Sequence, residues 1–297
     1  KTWLLSAIPQ VYKYAASILV LIATASVIYL YLNRYHINNQ IADQIEPGTQ
    51  KAILVTTEKQ RIELGESPRK SIFRENNTLF IDSGSTLIYH SGEIISELKE
   101  EEQGAFNQLE TPRGGEYSLI LPDGSKVTLN AESKLRFPSY FGKNEKVVEL
   151  EGEAYFEVAH SYDAPFIVKA GEMRITVYGT SFNVSAYHDD NLIQTTLVKG
   201  SVGIEIQGRE ELTGHKLNPG QQASFDRKTD RIETVEVNTA LYTAWINGLF
   251  VFEGEQLERI LRRLSRWYDC EVEYKDPDAK AERFTGEIKR YDSISKI

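Results

Sequence analysis

The chain has 297 residues, of which 41% are hydrophobic and 26% charged, a globular balance in a length sufficient for two ordinary domains. Its net charge of -9 at pH 7 provides no basic field to attract phosphate backbones, so direct nucleic-acid binding is not expected. The single cysteine, Cys270, excludes an intrachain disulfide framework and a CxxC metal site.

An uncharged run of 20 residues, Tyr14 to Asn33, lies between Lys13 and Arg34. A helix of this length rises about 1.5 Å per residue and reaches roughly 30 Å, the thickness of the hydrocarbon core of a bilayer. The sequence therefore predicts a transmembrane helix over residues 14–33, preceded by a short segment 1–13. A buried core helix and a cleaved signal peptide are the alternatives.

From residue 53 to residue 237, short runs of β-branched and aromatic residues alternate with turn residues, which predicts an all-β region. The turn Pro122-Asp123-Gly124 predicts a hairpin. A weak internal repeat relates Ala52–Leu64 to Tyr117–Leu129 and predicts two similar hairpins. The acidic stretch between them, Ser96–Leu109, is expected to be an exposed connector.

The pattern changes after Asn238. Residues 249–254 predict a strand, and apolar residues at helical spacing between Leu257 and Tyr268 predict a helix. Cys270–Tyr274 and Arg283–Lys289 predict two more strands, and residues 293–297 the start of another helix. The sequence thus predicts a small α/β domain at the C-terminal end.

Six blocks of the β-rich region, in order, resemble the periplasmic domain of the FecR (ferric-citrate regulator) family of anti-sigma factors. The blocks are TPRGGEYSLILPDGSKVTLNAESKLRFP (111–138), ELEGEAYFEVA (149–159), PFIVKA (165–170), VYGTSFNVSAY (177–187), TLVKGSV (196–202) and LNPGQQASF (217–225). The tail, residues 244–297, is similar to the C-terminal domain of Bacteroidota-type members, which is related to the STN signalling domain of outer-membrane transporters.

The resemblance implies a single-pass protein of the bacterial inner membrane, with its C-terminal portion in the periplasm. It would relay a signal from the N-terminal signalling domain of a TonB-dependent transporter, importing iron complexes or glycans, to a cytoplasmic ECF sigma factor, thereby regulating transcription. Family members bind that sigma factor through an N-terminal segment, of which we expect this sequence to hold at most residues 1–13. The resemblance also implies an inner-membrane protease as a partner.

The predicted architecture is mainly β, a hairpin-rich sandwich or solenoid-like domain, followed by a small α/β STN-like domain and preceded by one transmembrane helix. The corresponding ranges are residues 1–13 (residual cytoplasmic segment), 14–33 (transmembrane helix), 34–110 (periplasmic linker and hairpin region), 111–237 (FecR-like β domain) and 238–297 (STN-like domain).

The predicted helix carries four arginines on the faces that its apolar stripe leaves free, and these could bind an acidic partner segment. They are Arg259, Arg262, Arg263 and Arg266. The alternative is an ordinary solvated face, with Glu255–Arg259 and Glu258–Arg262 pairs at i, i+4 spacing.

An exposed strand edge is the second candidate binding surface, because STN-type domains accept a partner strand through backbone hydrogen bonds. The resemblance places this edge at Phe250 to Phe252 or at Phe284 to Ile288. Most strands with this pattern instead pair within their own sheet.

Some relatives cleave themselves at a Gly-Thr bond in the motif that contains Gly179 and Thr180. An unactivated threonine is a poor nucleophile, so this chemistry needs a strained peptide and a polar partner for the hydroxyl. The alternative, which we favour, is a glycine that permits close strand approach, followed by a β-favouring threonine.

The sequence contains no Walker A loop and no GxSxG, HExxH or GxGxxG motif, and its five histidines lack metal-ligand spacing. We therefore expect neither an enzyme nor a bound cofactor or metal. The alternative function is a periplasmic carbohydrate-binding or adhesion module anchored in the inner membrane. It would need an exposed aromatic platform, whereas the three tryptophans, Trp3, Trp245 and Trp267, are dispersed.

Overall fold

The computed structural model describes residues 19–30, 45–65, 71–75, 78–91, 106–142, 144–212 and 214–296. The chain divides into two units, one formed by Pro47–Asp292 and one by Lys1–Glu46 together with Ser293–Ile297. The second of these contains helix α1 over residues 19–30 and a 3-10 turn at Ile294–Lys296.

Helix α1 lies within the run that predicts a transmembrane helix. Residues 14–18 and 31–33 of that run, like the segment 1–13, lie outside the described residues. Within the described ranges, no helix is both long and apolar enough to cross a bilayer.

The unit Pro47–Asp292 is built on two β-sheets that share one long strand. In spatial order, the first sheet contains β3 (Arg61–Leu64), β2 (Ala52–Val55), β7 (Phe106–Thr111), β10 (Ser133–Pro138), the first half of β11 (Lys146–Glu157), β12 (Phe166–Ala170), β13 (Met173–Val177), β16 (Val202–Ile206) and β17 (His215–Leu217).

The second sheet contains β4 (Ser71–Glu75), β5 (Thr78–Asp82), β6 (Thr86–Ser91), β8 (Gly115–Ile120), β9 (Lys126–Leu129), the second half of β11, β14 (Ser181–Ala186), β15 (Leu192–Lys199), β18 (Gln221–Asp226) and β19 (Arg231–Glu236). A short strand, β1 (Thr49–Gln50), runs parallel to β8. The two sheets form the mainly β architecture that the sequence predicts.

Alternating burial explains why these segments are strands. In β10, Ser133, Leu135 and Phe137 are buried while the residues between them are exposed, the pattern of a strand with one face on a core. The rings of Tyr89 on β6 and Phe137 on β10 lie 5.5 Å apart, so the two sheets contact each other across one hydrophobic core.

Both predicted hairpins are confirmed. Strands β2 and β3 pair Ala52 with Leu64, and strands β8 and β9 pair Tyr117 with Leu129, the ends of the two repeats. Gly124 has φ +83° and its N–H donates to Leu121 O, as the turn chemistry requires. Strand β2 pairs with β7, and β6 with β8, so the hairpins before residue 111 extend the sheets that follow it.

The expected exposed connector over Ser96–Leu109 is partly wrong. Residues 96–105 lie outside the described residues, but residues 106–109 begin β7, where Leu109 is fully buried. The acidic residues upstream of this strand dominate the composition of the window and conceal its alternation.

The C-terminal region, residues 238–292, begins with helix α2 (Ala240–Thr243) and a 3-10 turn (Ala244–Asn247). Strand β20 (Leu249–Gln256), helix α3 (Leu257–Tyr268), a 3-10 turn (Pro277–Ala281) and strand β21 (Arg283–Lys289) follow. β20 and β21 pair antiparallel. The predicted strand at Cys270–Tyr274 is wrong, because these residues form a largely exposed loop and β20 takes β21 as its neighbour.

Gly152 marks the point where β11 passes from the first sheet to the second, since Glu151 pairs with Lys134 and Gly152 with Ala186. Its φ is +97°, and a Cβ there would lie 2.7 Å from Ser133 Cα. This position requires glycine both for its backbone angle and for the space it leaves.

We predict that Gly152→Ala lowers the free energy of unfolding by more than about 2 kcal/mol, through left-handed strain together with the clash. Gly220→Ala is the matched control, because Gly220 has φ +89° but no atom near its Cβ position. Urea denaturation measures both. Equal losses in the two variants would show that the passage of β11 from one sheet to the other does not depend on close packing against Ser133.

Candidate functional site

The turn between β7 and β8 holds the C-terminal end of helix α3. Arg113 donates from Nη2 to Ser265 O at 2.7 Å and to Cys270 O at 2.9 Å, and its Nε pairs with Asp269. The last carbonyls of a helix lack partners within the helix, and a cation there also complements the helix dipole. Gly114 N donates to Arg266 O at 2.8 Å, so the turn binds the helix end through backbone and side chain alike.

Arg266 points from α3 into the body formed by the two sheets, strands β2 to β19, which we call the β domain. Only 5% of its side chain is exposed. Its Nη2 lies 2.6 Å from Asp189 Oδ1 and 3.5 Å from Asp190 Oδ2, and the guanidinium lies 3.7 Å above the Tyr187 ring. Nε lies 3.3 Å from Glu132 Oε2, although its N–H does not point at that oxygen. Burial acts to lower the pKa of Arg266, but Tyr187, Asp190 and Asp189 together raise it.

Two further arginines of α3 are also paired within the chain. Arg262 donates to Asp190, the carboxylate that it shares with Arg266. Arg263 pairs with Glu255 at 2.9 Å and lies 5.0 Å above the Phe252 ring. The sequence therefore located these cations correctly on one helix, and the structure surrounds them with acidic and aromatic groups of the same chain.

Arg259 is the most weakly engaged of the four, since it is exposed and lies 3.5 Å from Gln194 Oε1. The alternative i, i+4 pairs do not form: Glu255 pairs with Arg263, and Glu258 with Lys280. Arg259 thus presents its charge at the rim of a polar cleft between α3 and the outer face of β14 and β15.

Arg290, which sequence reasoning did not single out, is fully buried between the C-terminal region and the β domain. Its guanidinium lies 3.8 Å above the Trp267 ring and donates to Trp245 O at 3.2 Å and to Asn130 Oδ1 at 2.8 Å. Nη2 lies 3.4 Å from Glu116 Oε2, while Nε has no acceptor in the described residues. Burial lowers the pKa of this arginine, and Glu116 opposes that shift.

The Glu116 carboxylate joins three segments of the chain. It faces Arg290, accepts from the Tyr291 hydroxyl at 2.7 Å and accepts from the Gln50 amide on β1. Burial, followed by the hydrogen bond and charge of Glu116, raises the pKa of Tyr291 to about 12. This carboxylate therefore connects β1, the β domain and the end of the C-terminal region.

The two predicted strand edges differ in exposure. Phe250 and Phe252 on β20 are buried against α3, whereas Phe284 on β21 is 49% exposed and Ile288 is partly buried. In the described part of the chain, β21 pairs with β20 alone and leaves its other edge open. An open edge beside an exposed aromatic ring is a surface on which an added strand could pair.

The Gly179-Thr180 bond lies at a close approach of the backbone. Gly179 has φ +145°, and a Cβ there would lie 2.7 Å from His160 Nδ1. The hydroxyl of buried Thr180 donates to Ser201 O at 3.0 Å. A backbone carbonyl accepts a hydrogen bond without taking the proton, so this contact positions the hydroxyl but does not activate it.

Sequence reasoning missed Arg290, Glu116 and the docking role of two tryptophans. Trp245 and Trp267 are almost fully buried, and Trp245 Nε1 donates to Asn183 Oδ1 at 3.1 Å. In a chain with three tryptophans, one before the C-terminal strand and one in the last turn of the C-terminal helix are a signal for an anchored contact. Arg290 has no such signal, because it follows a strand rich in exposed polar residues.

Two family models match the chain. The model described as FecR protein matches residues 107–203, and the model described as FecR, C-terminal matches residues 249–297. The second match spans β20, α3 and β21, and includes Arg290. No curated protein matches the chain.

Two crystal structures of a candidate anti-sigma factor from Parabacteroides distasonis ATCC 8503 are similar to the chain at 28% sequence identity. One has a TM-score of 0.59 and covers 64% of this chain and 87% of its own. The other has a TM-score of 0.58 and covers 62% of this chain and 85% of its own.

We predict that Glu116→Gln lowers the free energy of unfolding by about 3 kcal/mol, because the buried Arg290 loses its adjacent counter-charge. Glu110→Gln is the control, since Glu110 pairs with the exposed Arg61 and should cost less than about 1 kcal/mol. Urea denaturation of both variants checks this. A small, equal loss in both would mean that Arg290 does not depend on Glu116.

We predict that residues 34–297, expressed alone, run on a denaturing gel as one band of full mass, identical to Thr180→Ala. The reason is that the hydroxyl donates to Ser201 O, a backbone carbonyl that cannot act as a base. Two fragments in the parent protein that disappear in Thr180→Ala would establish self-cleavage at this bond.

Proposed function

We propose that this chain, which belongs to the FecR family, is an anti-sigma factor that relays a signal from a TonB-dependent outer-membrane transporter to an ECF sigma factor. The family is regulatory rather than enzymatic. In this proposal the C-terminal region is the receiving element, and the β domain is the rigid body to which it is docked.

The open edge of β21 is the single observation that carries the receiving role. Phe284 lies on that edge with about half of its surface in solvent, while the opposite edge of β21 is occupied by β20. A partner strand added here would gain backbone hydrogen bonds and cover the aromatic ring. The signalling domain of a transporter is the partner proposed, by family likeness.

The arginines of α3 enter the proposal with different roles. Arg259 is exposed at the rim of the cleft and is free to meet an acidic segment of the partner. Arg262 and Arg266 already bind Asp189 and Asp190, so an acidic partner would compete with those carboxylates for them. Arg263 supports β20 through Glu255.

Residues 14–33 are proposed to anchor the protein in the inner membrane, with the β domain in the periplasm. The uncharged run and the FecR family match support this placement. The sigma factor would bind an N-terminal segment on the cytoplasmic side, and an inner-membrane protease would release it. A carbohydrate-binding module is disfavoured, since it requires exposed aromatic rings and both Trp245 and Trp267 are buried.

We expect residues 34–297 to bind the signalling domain of a transporter encoded beside its gene, as measured by titration calorimetry. Phe284→Asp should weaken binding by tenfold or more, because a desolvated aromatic ring at an interface contributes about 2 kcal/mol. Arg259→Glu should weaken it further if the partner segment is acidic.

Val235→Asp is the matched control, because Val235 is a 46% exposed apolar residue on β19, a strand of the second sheet that does not belong to the β20–β21 pair. It should leave the affinity unchanged. Equal weakening by Val235→Asp and Phe284→Asp would remove β21 as the receiving edge. Absence of binding to every transporter signalling domain of the same organism would contradict the receptor role.

A further inference from the structure

The chain enters the β domain at the place where the C-terminal region is docked. Thr49 N donates to Gly114 O at 2.9 Å, and Gly114 N donates to Arg266 O at 2.8 Å. A single turn residue therefore binds β1 on one side and the end of α3 on the other. Gly48 lies so close to Trp267 that a Cβ there would be 2.7 Å from the indole Cε3.

A second connection joins the same two segments through Glu116. Its Oε1 accepts from the Gln50 side chain and from the Tyr291 hydroxyl, while its Oε2 faces Arg290. β1 thus binds Gly114 and Glu116, and both of these residues also bind the C-terminal region.

The hydrogen-bond ladder of β1 is short, although the Gln50 backbone also lies close to Gly65, beside the end of β3. β1 pairs with β8 over two residues only, Thr49 with Gly115 and Gln50 with Glu116, and residues 45–48 before it have no regular structure. Segments with few backbone hydrogen bonds open locally without unfolding the domain. The attachment of β1 therefore depends on its contacts with Trp267 and Glu116 as well as on its own ladder.

We propose that β1 is a releasable strap, held on the β domain by the docked C-terminal region, so that displacing α3 frees residues 47–50. Its use in signalling rests on the proposed function, since residue 47 follows the segment that leads from the proposed membrane helix. The coupling itself is a property of the fold and is reciprocal: loosening the strap must loosen the docking of α3 by the same free energy.

Hydrogen exchange of the Thr49 amide, read by NMR, tests the coupling in Trp267→Phe. This change removes the indole wall against Gly48 and should accelerate exchange at Thr49 about tenfold, equivalent to about 1.4 kcal/mol. Tyr268→Phe is the matched control. Tyr268 is the next residue of α3 and donates to Arg290 O and Asp292 O, with no bond to β1 among the described residues. It should change the Thr49 rate by less than about twofold.

Amides of β11 report on the fold as a whole and should be unchanged in both variants. Unaltered Thr49 exchange in Trp267→Phe, or equal acceleration in Tyr268→Phe, would overturn the proposal. If Trp267→Phe also accelerates exchange in β11, the variant Gly48→Ala tests the coupling from the β1 side. The amide of Gly114, which donates to Arg266 O, must then exchange faster in Gly48→Ala. An unchanged Gly114 rate refutes the strap. Failure of transporter binding would overturn the proposed function and leave this result standing.

Discussion

The buried guanidinium of Arg290 is the group on which the arrangement of the C-terminal region depends. A cation removed from water is costly unless counter-charge, acceptors and polarisable surface replace its hydration. Glu116 and Asn130 from the β domain and Trp245 and Trp267 from the C-terminal region supply these together. An apolar contact would tolerate small shifts, whereas the hydrogen bonds to Asn130 Oδ1 and Trp245 O require one orientation of the guanidinium. The docked region therefore has a defined position.

The β domain provides the rigid half of this site. Strand β11 belongs to both sheets, and the turn between β7 and β8 that receives α3 is anchored in each of them by one strand. Arg113 satisfies the helix end, and Arg266 binds the acidic pair that follows β14. These contacts are polar, so their strength responds to competing charges, as the proposed receiving role requires.

Local features were predictable from sequence, and contacts between distant residues were not. The hairpins follow from turn chemistry and alternation, and α3 from the spacing of its apolar residues. The window at Cys270–Tyr274 alternates like a strand, but a strand also requires a neighbour with a free edge, which sequence does not display. Arg266 was identified as a surface cation because Asp189, its partner, lies 77 residues earlier. Arg290 and Glu116 are far apart in the sequence, and only the fold brings their side chains together.

The brevity of β1 has a mechanical consequence. Tension applied to the chain from its N-terminal side would load β1 before any other strand. Two residue pairs and the contacts with Trp267 and Glu116 resist it there, whereas β10 is bound to β7 by six residue pairs and β11 to β14 by six more. Among the described strands, the one with the fewest ladder pairs thus lies ahead of the two sheets in the path of the force. A modest force would detach the strap while both sheets remain intact.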